Sequence, residues 1–546
     1  MLKYYNPRLV LAWMLSLLAV SLVLGFFGNF YSAFFEFLLL TVIVQTASSL
    51  LIYHLVNKAW TLQTYQPANL LLALALVSVL FVFVRAMLGM AMQFPALFDA
   101  DILLFEERQW IPFALGGLIA IPILGWVRHL VEHSEIRQTR FYRWIDERTT
   151  GLLPAGFFFV AYFIFASVFN RPAFDVDDIF FDTDGLLWRM RFTTPDVRDY
   201  YWRAVHPFVL IIIRPIIAFI AFFLKGDRLA AAFLLVAFAG ASCVFLTWRF
   251  VKTTTGNSLY ALLIASMLGA SAAHLVFSSL IETYIFLAAV MLAFLVLLLR
   301  DTPLFALVAT GLISFGITLT NFIQTAIAFI FVKRDFKGWV KYGVIVAALT
   351  IPLTMLNDLV YPNSQPYFFI PSSIGAEAEN TFTPTVPRAL AVGRVMALHS
   401  MVAPDPLILE EEIPFLKVWI FKADPLRLSE YETGFGLGLT VFWVALLLVG
   451  GFLFLRNLRK ADNRFQIALI FILLFNFALH LRYGKDVFLY STNWTYAIVL
   501  FLALAWKELA DKRWFQITLL VFVALLLANN SRLIYTMLST AALHIR

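Results

Sequence analysis

The amino-acid sequence predicts an all-α integral membrane protein that crosses a bilayer many times. The chain has 546 residues, of which 62% are hydrophobic and 14% charged, whereas soluble domains use about 25% charged residues. Long apolar stretches recur along the chain from Leu9 to Leu527, and those of about 17 or more residues, such as Leu9–Phe27, can cross ~30 Å of hydrocarbon as a helix. We therefore expect about 13 to 15 transmembrane helices.

Helices are favoured over a transmembrane barrel because the sequence lacks repeated strands of about ten residues with alternating polar and apolar side chains. In lipid, every backbone N–H and C=O group needs a partner within the protein, and a helix supplies that partner locally. The predicted fold class is therefore all-α.

The N-terminus, the single cysteine and the net charge limit the possible processing, cysteine chemistry and partners of the chain. Lys3 and Arg8 resemble the basic start of a signal peptide, but aromatic residues, not a small-x-small cleavage site, follow the first apolar run. We expect an uncleaved anchor. Cys243 is the only cysteine, which excludes a disulfide or a cysteine metal site within one chain. The net charge of +7 is interpreted as Lys and Arg retained in cytoplasmic loops, so nucleic-acid binding is not expected.

The charge of the loops predicts the topology, because Lys and Arg concentrate on the cytoplasmic side. We place on that side the N-terminus, the loop with Lys58, and residues 128–148, 249–252, 333–341, 456–464 and 507–513. The loops placed outside are residues 91–109, 170–206, 277–282, 361–435 and 481–493. The expected location is the plasma membrane, with the functional groups on the extracytoplasmic side.

Two segments break the regular alternation of sides. Segment 207–228 carries Arg214-Pro215 within its apolar run, and the topology works best if this segment does not complete a crossing. Segment 303–333 is too long for one ordinary span although both its flanks look cytoplasmic. Two halves of about 15 residues would form a short hairpin with Thr320-Asn321 near its tip. The alternative is one long tilted helix.

The expected organisation is one membrane domain in four segments. Residues 1–150 form N-terminal transmembrane helices, 151–360 the membrane core, 361–435 a large extracytoplasmic loop and 436–546 the C-terminal helices. Prolines from Pro362 to Pro425 exclude a continuous helix through the large loop. Within that loop, residues 386–402 have helical composition.

The densest group of acidic residues lies in the predicted outer loop 170–206. It runs from Asp175 to Asp184 and includes Asp177, Asp178 and Asp182. Carboxylates this close repel one another, so some have raised pKa values or hold a cation, and either state suits a general base or a metal ligand. A solvated acidic loop is the alternative.

Two further ionisable residues lie where the chain enters apolar runs. After Arg198, Asp199 and Arg203, His206-Pro207 begins a membrane segment, where the imidazole could bind phosphate or transfer a proton. Glu282 lies between two apolar runs, and an ionisable group near hydrocarbon is by default a functional candidate. The alternatives are an interfacial or capping histidine and a loop carboxylate exposed to water.

Four basic residues in the predicted outer loops run against the positive-inside trend. They are Arg388, Arg394, Arg482 and Lys485. Binding of an anion would explain them. Basic side chains extending from the membrane interface into water explain them equally well.

Several enzyme classes lack their minimal residues. The sequence has no Gly-Lys-Ser/Thr phosphate loop, no Gly-x-Ser-x-Gly and no His-Glu-x-x-His, so ATPase, serine-hydrolase and zincin functions are not predicted.

The order of these elements resembles the glycosyltransferase C (GT-C) superfamily, whose members take a sugar from a polyprenyl-phosphate carrier outside the membrane. The matching features are Asp182-Thr183-Asp184 in the first large outer loop, His206-Pro207, the segment 278–284 with Glu282, and a late large outer loop. Two features depart from the family: about five apparent spans precede the acidic loop, which implies an N-terminal extension, and Asp-Thr-Asp replaces the usual pair of adjacent acidic residues.

The resemblance implies an extracytoplasmic membrane glycosyltransferase. It implies that Asp184 or Asp182 acts on the acceptor, with Glu282 as a second acidic site, and that Mg²⁺ or Mn²⁺ could bind at Asp182 and Asp184. The implied partners are a polyprenyl-phosphate sugar, an acceptor of unknown identity and the lipid bilayer. The implied ligands of the carrier phosphate are His206, Arg388, Arg394, Arg482 and Lys485.

Two other functions remain open. A secondary transporter or lipid flippase would use ionisable groups near the middle of the bilayer, where Arg214 is the clearest candidate. A non-catalytic scaffold subunit would tolerate neutral substitutions among the outer charged residues.

Overall fold

The computed structural model describes residues 6–194, 203–364, 366–409, 414–420, 426–459 and 462–545. It is all-α, with 76% helix, which confirms the predicted fold class. Within these ranges nine helices are long and apolar enough to cross a membrane. Seven shorter apolar helices accompany them, so the predicted 13 to 15 crossings require some of the shorter helices to cross as well.

The chain divides into two compact units. The first comprises residues 1–77 and 98–153, and the second comprises residues 78–97 and 154–546. The helices that contribute to the first unit are α1 (Pro7–Gly28), α2 (Phe34–Tyr65), α3 (Pro67–Ala91), α4 (Trp110–His133) and α5 (Arg140–Phe169), of which α3 and α5 continue into the second unit.

The first unit is held together by close approach of its helices. The backbone of Gly25 lies against the carbonyl of Leu103, where a Cβ would not fit. Gly116 of α4 likewise lies against the side chain of Thr41 of α2. In addition, the Ser16 and Ser49 hydroxyls are 2.9 Å apart across α1 and α2. Small residues and hydroxyl pairs of this kind are typical of helix packing in membranes.

The second unit contains the remaining helices. They are α6 (Gly185–Thr193), α7 (Val209–Phe222), α8 (Arg228–Thr255), α9 (Ser258–Ala270), α10 (Ala272–Phe277), α11 (Tyr284–Leu299), α12 (Leu304–Ile317), α13 (Asn321–Lys333), α14 (Phe336–Val360), α15 (Pro371–Ile374), α16 (Val386–Arg394), α17 (Gly434–Asn457), α18 (Arg464–His480), α19 (Thr492–Ala505) and α20 (Arg513–Leu543). Its core is formed by α8, α9, α11 and α19, whose side chains are largely buried.

The segment 303–333 forms the predicted hairpin. Helix α12 ends at Ile317, Thr318 has extended backbone angles, and α13 begins at Asn321. At the far ends of the two helices, Lys333 forms an ion pair with Asp301, so the chain doubles back. The alternative of one long tilted helix is therefore excluded.

Segment 207–228 contains one short helix, and its incomplete crossing stays a prediction, because α9 and α19 are no longer than this helix. Helix α7 has 14 residues, so it is about 21 Å long, which is shorter than the ~30 Å hydrocarbon core. The chain then turns through Lys225 and Gly226, both with positive φ, before α8 begins.

The described residues of the large loop 361–435 form only short elements. The predicted helix near residues 386–402 is observed as α16, followed by a π-helical turn at Val395–His399. Strands β1 (Leu407–Leu409) and β2 (Phe415–Lys417) pair antiparallel, as do β3 (Trp419–Ile420) and β4 (Arg427–Leu428). The described residues of loops 170–208, 278–283, 361–435 and 481–491 meet at one end of the second unit, which we call the loop face.

Candidate functional site

The acidic loop before α6 is tightly folded and anchored at two points. The Asp177 carboxylate accepts hydrogen bonds from the backbone N–H groups of Leu186 (2.8 Å) and Leu187 (3.2 Å), so it caps the start of α6. Phe181 donates its N–H to the carbonyl of Leu416 in β2 at 2.8 Å. These contacts fix the position of Asp184, the residue immediately before α6.

Three non-glycine residues of this loop have left-handed backbone angles. Their φ values are 69° at Asp178, 58° at Phe181 and 59° at Asp182. Asp tolerates this conformation better than Phe, which lacks a polar side chain for a local hydrogen bond. Strained backbone of this kind persists only where surrounding contacts hold it, and it is concentrated at functional sites.

Asp184 and Glu282 meet at the loop face although 98 residues separate them in sequence. The Asp184 N–H donates to Glu282 Oε1 at 2.9 Å, and the Thr283 N–H donates to Glu282 Oε2 at 2.9 Å. The Glu282 side chain is buried, with 1% exposed. Burial, reinforced by the nearby charge of Asp184, raises the pKa of Glu282 to about 8. Glu282 is therefore a neutral acid near pH 7.

Arg203 provides the positive charge of this pair. Its Nη1 donates to Asp184 Oδ2 at 2.6 Å and its Nη2 to Asp184 Oδ1 at 3.3 Å. This two-point geometry is the strongest form of carboxylate recognition. Burial raises the pKa of Asp184, and the charge of Arg203 opposes that shift. We call Asp184, Arg203 and Glu282 the acidic cluster.

Aromatic and acidic side chains surround the acidic cluster. The rings of Tyr284 and Tyr490 lie 5.0 Å apart, edge to face. The Tyr483 hydroxyl donates to Glu377 Oε2 at 2.6 Å. Glu377, Tyr284 and Tyr490 all interact electrostatically with Arg203. The site thus combines carboxyl groups, one guanidinium and phenol hydroxyls.

Asp182 belongs to a separate ionic group. It pairs with Lys417 of β2, and the Lys417 ammonium also lies 3.4 Å from the carbonyl of Asp178. The neighbouring Asp486 is fully buried and accepts from the N–H groups of Val418 (2.8 Å) and Phe488 (3.0 Å). Burial and the charge of Asp182 raise the pKa of Asp486 to about 7. This group joins three loops and holds the strained acidic loop in place.

Asp182 and Asp184 therefore face different cations, Lys417 and Arg203. Across the described ranges, no group of three or more His, Cys, Asp or Glu side chains is arranged to hold a metal ion. A divalent ion at Asp182 and Asp184 stays a prediction, and it would compete with both ion pairs.

His206 lies three residues before the start of α7, so Pro207 is not in the first turn of the helix as the sequence suggested. Its Nδ1 donates to the carbonyl of Ile317 at 2.6 Å, at the tip of the hairpin, and its ring packs edge to face on Trp188 at 4.8 Å. Only 3% of His206 is exposed, and burial lowers its pKa to about 3. In this structure His206 is a neutral group that links the α7 entry to the hairpin. Its predicted role in phosphate binding stays a prediction.

Arg388 is committed to the backbone of the 480–484 turn. Its guanidinium donates to the carbonyls of His480 (3.0 Å), Leu481 (2.9 Å) and Gly484 (3.0 Å), and it lies over the ring of Trp419. Only 5% of Arg388 is exposed. Its guanidinium therefore stabilises the backbone of this turn at the loop face.

The other three predicted cations lie nearer to solvent. Arg394 is 4.0 Å from the carboxylate of Glu430. Arg482 and Lys485 are exposed on the turn that Arg388 holds, and Lys485 interacts electrostatically with Asp178. No recorded contact joins any of these cations directly to Asp184 or Glu282 among the described residues.

Several residues of the site were not among the predicted site residues. They are Arg203 and Lys417, which pair with Asp184 and Asp182, and Glu377, Tyr284 and Tyr490, which interact electrostatically with Arg203. A basic residue 19 positions after Asp184 was the one available signal for Arg203. Arg198 and Asp199 lie outside the described residues.

Comparison of the chain with protein-family models, curated proteins and solved structures finds no match. The fold and composition establish that this chain is a polytopic helical membrane protein.

Proposed function

We propose that the protein is a membrane glycosyltransferase that uses a polyprenyl-phosphate sugar at the loop face. The observation that carries the proposal is the direct hydrogen bond between Asp184 and Glu282, with Arg203 held on the Asp184 carboxylate. Asp184 and Arg203 come from one loop and Glu282 comes from another, yet they form one compact site beside apolar helices. A lipid carrier would present its sugar phosphate at such a boundary.

In the proposed reaction, an acceptor hydroxyl attacks the anomeric carbon of the sugar. The bond from that carbon to the phosphate oxygen breaks, and its electron pair leaves with the phosphate. Asp184 takes the hydroxyl proton, a role for which Arg203 keeps it ionised. As Asp184 becomes neutral, Arg203 is released to stabilise the departing phosphate.

The remaining groups have supporting roles in this proposal. Glu282, neutral near pH 7, adds no negative charge next to the phosphate and fixes the backbone of Asp184. The exposed Arg482 and Lys485 attract the carrier phosphate to the loop face. Arg388 positions the turn that carries them. Because the Lys- and Arg-rich loops predict the opposite side as cytoplasmic, we propose that the loop face is extracytoplasmic and that the membrane is the plasma membrane.

The direct test is incubation of the purified protein with a panel of radiolabelled polyprenyl-phosphate sugars. The expected result is release of the carrier phosphate from one donor, without addition of nucleotide. If every donor remains intact with both hydrolytic and glycan acceptors, the proposal is wrong.

A second candidate, a secondary transporter, is supported by the hairpin. Asn321 and Gln324 of α13 form hydrogen bonds with Asn476, Asn493 and Tyr496 of the neighbouring helices. All five residues are at least 95% buried. We call them the amide network. Broken helices with buried polar groups are common at transport sites, so uptake of a labelled solute into proteoliposomes, without carrier turnover, would favour this candidate.

A further inference from the structure

A cavity of about 320 Å³ lies at the loop face, apart from the acidic cluster. Side chains from α3 and α20 contribute to its lining, including Met90, Leu533 and Tyr535. The lining also contains two charged residues, Asp405 of the large loop and Arg532 of α20. The volume is at the lower end of the roughly 300–1,000 Å³ typical of small-molecule sites, which suits a head group better than a whole lipid.

The cavity lies at the level where a membrane helix reaches the interface. Arg532 is 19 residues beyond Arg513, the first residue of α20, and this distance corresponds to about 28 Å of helix. The start of α20 is at the opposite end, where the Asn257 amide lies 2.7 Å from Asp511. At the loop face, the neighbouring Asn530 donates to the carbonyl of Ala270, the last residue of α9. The cavity is therefore about one hydrocarbon thickness away from the start of α20.

Two opposite charges face this cavity and remain partly open to solvent. Arg532 Nη2 donates to Asp405 Oδ1 at 3.0 Å, and Nη1 donates to the Thr433 hydroxyl at 2.7 Å. The Arg532 and Asp405 side chains are 45% and 28% exposed. A guanidinium has five N–H donors, and these two contacts of Arg532 use one N–H on each of its two terminal nitrogens.

We propose that this cavity binds the head group of a phospholipid that carries both a phosphate and a primary ammonium. The phosphate would bind Arg532, and the ammonium would bind the carboxylate of Asp405. Such a head group is complementary to both side chains. It would replace the ion pair between Arg532 and Asp405 with one ion pair from Arg532 to the phosphate and one from Asp405 to the ammonium. A purely anionic head group would meet the Asp405 carboxylate unpaired, which costs binding free energy.

A primary ammonium fits this site better than a quaternary one. It has three N–H donors for the carboxylate, whereas a quaternary group has none and is recognised on aromatic faces. Among the described residues of the lining, Tyr535 has the one aromatic ring, which packs edge to face against Phe94 at 5.8 Å.

The acyl chains have an apolar path beside the cavity. Thr433, which holds Arg532, immediately precedes α17. Leu437 and Val441, on the first two turns of α17, are exposed to the membrane. A lipid whose head group occupies the cavity can lay its chains along this helix. This proposal does not depend on the proposed transfer reaction.

The test is native mass spectrometry of the delipidated full-length protein with phosphatidylethanolamine, phosphatidylglycerol or phosphatidylcholine of identical acyl chains. We expect phosphatidylethanolamine to bind about tenfold more tightly than the other two, which corresponds to about 1.4 kcal/mol. Soluble glycerophosphoethanolamine, added as a competitor, should displace the lipid at high concentration, which separates recognition of the head group from recognition of the chains.

Two variants and one control locate the effect. Arg532→Gln should weaken all three lipids, and Asp405→Asn should remove the preference for phosphatidylethanolamine. The control is Arg456→Gln, because Arg456 pairs with Glu508 at similar exposure, 47% and 37%, on α17 and the loop before α20. Equal binding of the three lipids by the unmodified protein, or equal weakening by Arg456→Gln and Arg532→Gln, would overturn the proposal.

Discussion

The acidic cluster and the amide network bury polar groups in opposite ways. The acidic cluster combines ionisable side chains from two loops, with Arg203 paired with Asp184 and a neutral Glu282 that accepts from the Asp184 N–H. The amide network uses uncharged side chains on α13, α18 and α19, such as Gln324, which contacts three other members. Charges thus lie at the loop face, and neutral amides lie among the apolar helices.

This difference follows from the cost of desolvation. An unpaired charge among apolar helices is far more costly than an amide that forms its hydrogen bonds. The amide network can therefore join helices at modest cost. The acidic cluster retains groups whose protonation can change, which is what proton transfer requires.

The largest effect on stability is expected from Arg203→Met. This variant leaves the Asp184 carboxylate, of which 16% is exposed, without its cation. Breaking a largely buried pair costs about 3 kcal/mol. The thermal unfolding midpoint in detergent should fall, and the double variant Asp184→Asn/Arg203→Met should recover part of the loss. Arg482→Met, an exposed cation of the same face, is the control. An equal loss in both single variants would contradict the ion-pair account.

A smaller effect is expected from Gln324→Leu in the amide network. The substitution leaves Asn476 and the Tyr496 hydroxyl without their contacts to Gln324. Hydrogen bonds between membrane helices are worth about 0.6 kcal/mol each on average, so the total loss should be about 1 to 2 kcal/mol. The same unfolding assay measures it. A loss greater than that of Arg203→Met would mean that neutral amides, not charges, dominate the stability of the second unit.

The pH dependence of stability distinguishes the two regions. In the folded chain Glu282 keeps its proton up to about pH 8, whereas the ordinary pKa of a glutamate side chain is 4.5. The folded state binds more protons between these values, so stability should fall as the pH rises from about 4.5 to 8. Asp486 contributes in the same direction up to about pH 7.

Glu282→Gln should therefore reduce the pH dependence of the thermal unfolding midpoint between pH 7 and 8. Asp486 no longer contributes to that dependence in this range. Gln324→Leu should leave the shape of the pH curve unchanged. The exposed Glu379 provides the control variant Glu379→Gln. A pH curve that keeps its slope in Glu282→Gln would contradict the assignment of a protonated Glu282.

The smallest effect is expected from Asp301→Asn at the open end of the hairpin. Asp301 pairs with Lys333, but 88% of its side chain is exposed. Solvent screens such pairs, and many contribute nothing measurable. The unfolding midpoint should be unchanged. A clear loss would mean that closure of the hairpin ends, and not its buried amides, holds α12 and α13 together.

The length of segment 303–333 and its two basic flanks predicted a hairpin, but one long tilted helix stayed the alternative, because a long apolar helix can tilt in the bilayer. Asp184 and Glu282 were both candidates, but their hydrogen bond depends on the fold of two distant loops. The role of Arg388 could not be predicted, because a cation that binds backbone carbonyls and a cation that binds phosphate look the same in sequence. Lys417 was missed because it lies in a proline-rich loop without any periodic pattern.

The most direct test of the central claim is the single-turnover rate of sugar release from the preferred polyprenyl-phosphate donor by Asp184→Asn. The matched control is Asp175→Asn, an exposed acidic residue of the same loop. We expect Asp184→Asn to lose at least a hundredfold in rate, in line with loss of a general base, while Asp175→Asn keeps the rate of the unmodified protein. Equal rates in the two variants would contradict the assignment of Asp184 as the base.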